Sequence, residues 1–181
     1  MSGDNPFSTP LSQIGKEFAY QAHNSTNHFY DEELPYTFHL QLVVKACKRF
    51  AINHFDPNMN QILEAAGWCH DTIEDTRVSY NELLKTLGLH VANIVYALSN
   101  EKGRTRSERA NDKYYAGIKA DKRAVFIKLC DRIANVGYSK LMQSNMFTKY
   151  KKENEEFIQK IGAEEHGFKD MIDHLDKLFN E

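Results

Sequence analysis

The stretch Ile62-Leu63-Glu64-Ala65-Ala66-Gly67-Trp68-Cys69-His70-Asp71-Thr72-Ile73-Glu74-Asp75-Thr76 runs an apolar helical spacing straight into a group of ionisable side chains. Ile62, Ala65, Ala66, Cys69 and Ile73 recur at the three- and four-residue intervals of a helix buried on one face. If that helix continues through the stretch, His70 and Glu74 lie one turn apart, and so do Asp71 and Asp75. Charges that follow directly on small apolar residues are costly unless they are paired or bound to a metal. A His beside an Asp offers a metal two ligands of different hardness, and an acidic pair one turn on can orient a water and take up its proton. A His-Asp dipeptide alone is most often a solvated helix end, whereas the segment from Trp68 to Thr76 is far more specific.

The flanking segments repeat the helical pattern. From Thr37, read as an N-cap, Leu40, Val43, Val44, Cys47, Phe50 and Ala51 line one face, and His39 opens that helix. On its own His39 reads as a satisfied core or cap histidine, as do His54, His90, His166 and His174. Ser79-Tyr80-Asn81-Glu82 matches a capping box, predicting a short helix to Gly88 and a further one carrying Val91, Ile94, Val95 and Leu98. Asp121 is a cap for a helix apolar almost all round, from Val125 to Ala134. Its polar exceptions, Lys128, Asp131 and Asn135, share one stripe. A carboxylate on so buried a helix needs a partner, either a metal or the nearby Lys128 or Arg132. A late helix carries Phe147, Tyr150, Phe157, Ile158 and Ile161 and ends at Gly162. The last, with Phe168, Met171, Ile172, Leu175, Leu178 and Phe179, packs on the core or on a sister subunit, which leaves self-association open. Residues 24–33 are polar and aromatic without periodicity, a loop long enough to wall a pocket. No strand-like alternation persists, so the expected fold is all-α, one domain of about seven to nine helices. Residues 1–10 form a flexible lead-in and 11–181 the domain.

The 181 residues, 41% hydrophobic and 27% charged, suit a single sizeable core. A net charge of -2 gives no bulk attraction to nucleic acid or anionic lipid. Small soluble partners are expected instead. Cys47, Cys69 and Cys130 lie far apart in apolar segments, as reduced buried thiols do, which with the lack of a signal or membrane-spanning run points to the cytoplasm. Lys102, Arg104, Arg106 and Arg109 form a basic loop, either a solvated face or a steering element for a phosphorylated substrate.

A His opening one helix, a His-Asp pair ending the next and an Asp within a later buried helix resemble the HD-domain metal-dependent phosphohydrolases. The wording is closer still: His70-Asp71-Thr72-Ile73-Glu74-Asp75-Thr76, Pro35-Tyr36-Thr37-Phe38-His39 and Lys128-Leu129-Cys130-Asp131-Arg132-Ile133-Ala134-Asn135 resemble the hydrolase domain of RelA/SpoT homologues, including the small stand-alone hydrolases that remove the 3′-pyrophosphate of (p)ppGpp. The motifs fall within residues 19–161. The resemblance implies an HD-type helical bundle in which His39, His70, Asp71 and Asp131 bind one divalent ion, Mn²⁺ in the characterised relatives. It further implies that Glu74 and Asp75 orient the attacking water and handle its proton, and that Asn135 binds substrate near the ribose and phosphates. His28, Phe29 and Lys128 complete the substrate-binding candidates. No synthetase segment follows, so a hydrolase alone is implied.

Substrate is where the chain departs from the pattern. In the family a basic Arg-Lys pair precedes the Pro-Tyr motif and packs around the purine; His28 and Phe29 occupy those places here, and Leu40 replaces the Pro usually found after the His. An aromatic and an imidazole still stack on a base, but two cations are lost. Three functions therefore compete: a guanosine-alarmone pyrophosphohydrolase, an HD-type phosphatase or phosphodiesterase on another nucleotide such as a nucleoside monophosphate or NADPH, and a nucleotide-binding module without activity. Alternatively, Phe29 and Tyr30 only pin their loop to the core.

Overall fold

The computed structural model describes residues 9–26, 29–31, 33–99 and 104–181. Among these, ten α-helical segments follow one another: α1 (Leu11–Asn24), α2 (Thr37–Phe50), α3 (Asn60–Cys69), α4 (Thr72–Asp75), α5 (Tyr80–Leu98), α6 (Arg106–Arg109), α7 (Asp112–Lys119), α8 (Lys122–Leu141), α9 (Asn145–Ile161) and α10 (Lys169–Asn180), with short 3-10 turns at Ala51–Asn53 and Pro57–Met59. α4 and α6 are single turns of 4 residues. The all-α expectation holds, and the eight longer helices match the expected number. Most of the lead-in, residues 1–8, lies outside the described residues, as do His28 and Lys102.

The core is a stack of helices around α8. α2 packs on α3 and α8, α1 covers the other side of α3, α5 spans α3, α7 and α8, and α9 and α10 close the far face of α8. Leu40, Val43, Leu63, Ala66, Phe126, Ile127, Leu129 and Cys130 are wholly buried between these elements. α1 and α3 approach closely because Gly15 faces Ala65: a Cβ at Gly15 would stand 3.0 Å from the Ala65 Cα. The last helix buries Met171, Leu175 and Phe179 against this core, so its apolar face is used within the chain. Cys47, Cys69 and Cys130 are buried free thiols. No helix among the described residues is long and apolar enough to cross a membrane.

Several boundaries are set by local chemistry. Ser79 and Glu82 form a reciprocal capping box at the start of α5, which breaks at Gly88, where φ is +82°. Asp121 caps α8 by accepting from the Arg123 amide, and α9 ends in left-handed Gly162, with φ +66°. Two expectations need correction. Thr37 does not cap α2: Tyr36 holds that position, without a side-chain cap bond, and Thr37 is the first helical residue, buried. The loop after α1 contains a minimal antiparallel pair, β1 (Phe29–Tyr30) with β2 (Leu34–Pro35), in register Phe29 to Pro35 and Tyr30 to Leu34. Strands of 2 residues are too short to show alternation, and Asp31 turns the chain between them at φ +53°.

Candidate metal centre and active site

His39 stands in the first turn of α2, Asp131 midway along α8, and His70 and Asp71 at the end of α3. α3 does not run on through the His-Asp pair. His70 is still right-handed helical, but Asp71 leaves the helix at φ −103° and ψ 2°, and α4 restarts at Thr72 with the Asp75 amide bonded to the Asp71 carbonyl at 2.9 Å. On an unbroken helix adjacent side chains diverge by about 100°. The break instead brings Asp71 Oδ2 to 2.8 Å from His70 Nε2.

The four residues converge. His39 Nε2 lies 3.3 Å from Asp131 Oδ1 and 3.9 Å from Asp71 Oδ2, and His70 Nε2 lies 3.9 Å from Asp131 Oδ1. His39, His70 and Asp131 offer ligand atoms all within 4.8 Å of one another, and Asp71 joins them through its contacts with both imidazoles. His70 Nδ1 is 2.9 Å from the Gly67 carbonyl, which only accepts, so this nitrogen carries a hydrogen and Nε2 is the ring nitrogen left to a metal ion once its own proton leaves. His70 Nε2 is buried and faces the Asp71 carboxylate at 2.8 Å. Two imidazoles and two carboxylates are a donor set for a divalent transition ion.

The electrostatics agree. Burial opposes the imidazolium of His70, but the charges of Asp71 and Asp131 outweigh it and hold the group at about 9. A proton thus occupies the place of positive charge that a metal ion would take. Burial likewise pushes Asp71 and Asp131 up, yet His70 brings Asp71 net well below the ordinary range, while Lys128 and the two histidines do the same for Asp131. Asp75 goes the other way. Burial, then the charges of Asp71 and Glu74, raise it to about 7, the range of a base working near neutrality. It is partly buried on α4 beside an exposed Glu74.

Other side chains hold these four residues in place. The Tyr36 hydroxyl donates to Asp71 Oδ2. Lys128 Nζ donates to Asp131 Oδ2 at 3.1 Å and Asn135 Nδ2 to Asp131 Oδ1 at 2.6 Å, so the predicted polar stripe of α8 is one connected group. Asn135 in turn accepts from the Tyr30 hydroxyl at 2.9 Å. Phe29 is not brought to the cluster: it is 54% exposed, and Tyr30, its neighbour, turns inward. Successive residues of an extended pair face opposite ways, but strands of 2 residues leave no alternation in the sequence that singles out Tyr30. A cavity of about 160 Å³ opens beside Asn135 and Tyr30, lined also by Tyr138, Ser139, Met146 and Tyr150. Arg104 and Arg109 are exposed.

No family model matches the sequence. Among curated proteins, the chain is 32% identical over 101 residues to a probable GTP diphosphokinase, RSH3, of Arabidopsis thaliana, covering 50% of this chain and 14% of that protein. It is 27% identical over 119 residues to the guanosine-3′,5′-bis(diphosphate) 3′-pyrophosphohydrolase MESH1 of Danio rerio, covering 66% of this chain and 63% of that one. The chain thus spans less than two thirds of either relative's length. A solved structure described as a metazoan orthologue of SpoT that hydrolyses ppGpp superposes with a TM-score of 0.70 over 96% of both chains at 21% identity. In its motifs and in its all-α fold, the chain is similar to the HD-domain hydrolases of the RelA/SpoT group.

Proposed function

We propose that the chain is a metal-dependent phosphohydrolase that removes the 3′-pyrophosphate of (p)ppGpp or a close relative, with Mn²⁺ as the ion. The observation that carries this reading is the convergence of His39, His70, Asp71 and Asp131 from three helices, with a carboxyl at about 7 one turn away. A divalent ion held there supplies Lewis-acid polarisation of a phosphoryl oxygen and lowers the pKa of a water. The chain's own residues do the rest. Asp75, its carboxyl raised toward neutrality, accepts the proton of the attacking water at its carboxylate, and Glu74 beside it orients that water. Lys128 and Asn135 keep Asp131 ionised and aimed. The nucleoside is read on the side of Asn135, where the cavity bordered by Tyr138 and Tyr150 offers hydroxyls and ring faces. The names of the relatives support this choice of substrate.

A second reading, hydrolysis of another nucleotide at the same centre, is favoured by one feature. Phe29, exposed, replaces a cation of the family pattern, and the ammonium of Lys128 is tied to Asp131 rather than open to a phosphate. Purified Mn²⁺-loaded protein assayed against ppGpp, nucleoside monophosphates and NADPH separates the readings. Release of pyrophosphate from ppGpp at the highest kcat/KM supports the first, a preference for another nucleotide the second, and no turnover of any member contradicts both.

A further inference from the structure

We propose that Tyr30 is a positioning residue for the metal centre, holding His39 by stacking and Asp131 through Asn135. The proposal rests on reading the four-residue cluster as a metal site. An imidazole that binds a metal commonly has its other ring nitrogen fixed by a hydrogen bond, which sets the plane of the ring. His70 follows this rule through the Gly67 carbonyl at 2.9 Å. His39 does not: its Nδ1 is buried and meets no hydrogen-bond partner among the described residues. The orientation of His39 must therefore come from packing.

Tyr30 supplies that packing. Its ring lies over His39 with centroids 4.9 Å apart and planes at 20°, while the other aromatic neighbours among the described residues, Tyr36 and His70, meet the imidazole at 58° and 60°. A face-to-face neighbour resists rotation of the imidazole about its bond to Cβ, because turning drives a ring edge into the phenol. The hydroxyl of the same residue acts on a second ligand. It donates to Asn135 Oδ1 at 2.9 Å, which leaves the amide nitrogen to donate to Asp131 Oδ1 at 2.6 Å. That is the oxygen that faces His39 Nε2 at 3.3 Å. One side chain thus sets the angle between two ligands that come from different helices.

Tyr30 is itself held. It sits in the β1–β2 pair, its ring lies 4.9 Å from that of Tyr138, and the Tyr138 hydroxyl donates to Asp31 Oδ2 at 2.7 Å. The hairpin is thereby fastened to α8, the helix that carries Asp131.

The test uses the full chain stripped of metal, with Tyr30→Phe, which keeps the ring and removes the hydroxyl, and Tyr30→Leu, which removes both. Mn²⁺ affinity is measured by titration calorimetry, and the visible absorption of the Co²⁺-loaded protein reports ligand geometry, which a purely structural role would leave alone. Tyr30→Leu is expected to bind Mn²⁺ on the order of 10-fold more weakly with a changed Co²⁺ spectrum, and Tyr30→Phe to fall between it and the unsubstituted protein. Wild-type affinity and spectrum in Tyr30→Phe overturn the proposal, whether or not Tyr30→Leu folds. Failure of the unsubstituted protein to bind either ion overturns the underlying metal-site reading instead.

Discussion

Asp75 and Asp131 are both carboxylates near one cluster, and their surroundings drive them apart. Asp131 is held ionised by Lys128 and the histidines, as the proposed ligand role requires, while burial and the charges of Asp71 and Glu74 raise Asp75 to about 7, as suits the proposed base. The Asp75→Asn and Glu74→Gln proteins should lose most turnover, by 100-fold or more on the order of general-base effects, yet retain stoichiometric metal. Metal analysis of both variants decides whether these are ligands. Asp131→Ala should instead lose the ion, and stoichiometric metal in that variant would contradict its assignment. The pH dependence follows from sign. In metal-free protein, folded Asp75 keeps a proton that the unfolded chain has released between its ordinary value of 3.8 and about 7. The folded state then binds more protons than the unfolded, so stability falls as pH rises through that window. Asp75→Asn should flatten this part of the profile, checked by melting temperatures at pH 4 and pH 8. In kcat/KM, the acid limb should sit at or below about pH 7, since a bound cation favours the carboxylate.

At the scale of elements, the site depends on how closely α1 lets α3 approach. Adding a methyl at Gly15 would press on Ala65 backbone at 3.0 Å, a clash that costs about 1–3 kcal/mol and outweighs the ~1 kcal/mol that alanine gains over glycine in a helix. Gly15→Ala should therefore lower the melting temperature and, because α3 ends at His70, weaken metal binding. An unchanged melting temperature would show that α1 can shift freely. Which of these features the sequence reveals depends on whether their cause is local. The capping box at Ser79, the break at Gly88 and the stop at Gly162 are legible because each is set by a residue and its immediate neighbours. The break of α3 at Asp71 is not, since no Gly or Pro marks it. It arises from packing, which turns His70 and Asp71 toward residues of α2 and α8 far along the chain. The hairpin that inserts Tyr30 rather than Phe29 is hidden for the same reason: its bonds reach residues 105 and 107 positions away. The candidate ligands could be named from motif wording, but their convergence required the fold.

For the whole molecule, α2, α3 and α8 bring the centre together, so a bound ion ties separate parts of the core. Ligand linkage predicts that Mn²⁺ at 100 times its dissociation constant adds about 2.7 kcal/mol, raising the melting temperature by roughly 5–10 °C for a domain of this size. EDTA should reverse the shift, and no such shift is expected in Asp131→Ala. The chain's similarity to HD-domain hydrolases lies in its motifs and its all-α fold, and its departure from the family pattern lies at His28 and Phe29. The most direct test is to incubate Mn²⁺-loaded protein with ppGpp and identify the products by chromatography. The account predicts GDP and pyrophosphate in equal amounts, with turnover abolished by EDTA and restored by Mn²⁺. Intact ppGpp after prolonged incubation of protein shown to hold its metal, or cleavage indifferent to EDTA, would contradict it.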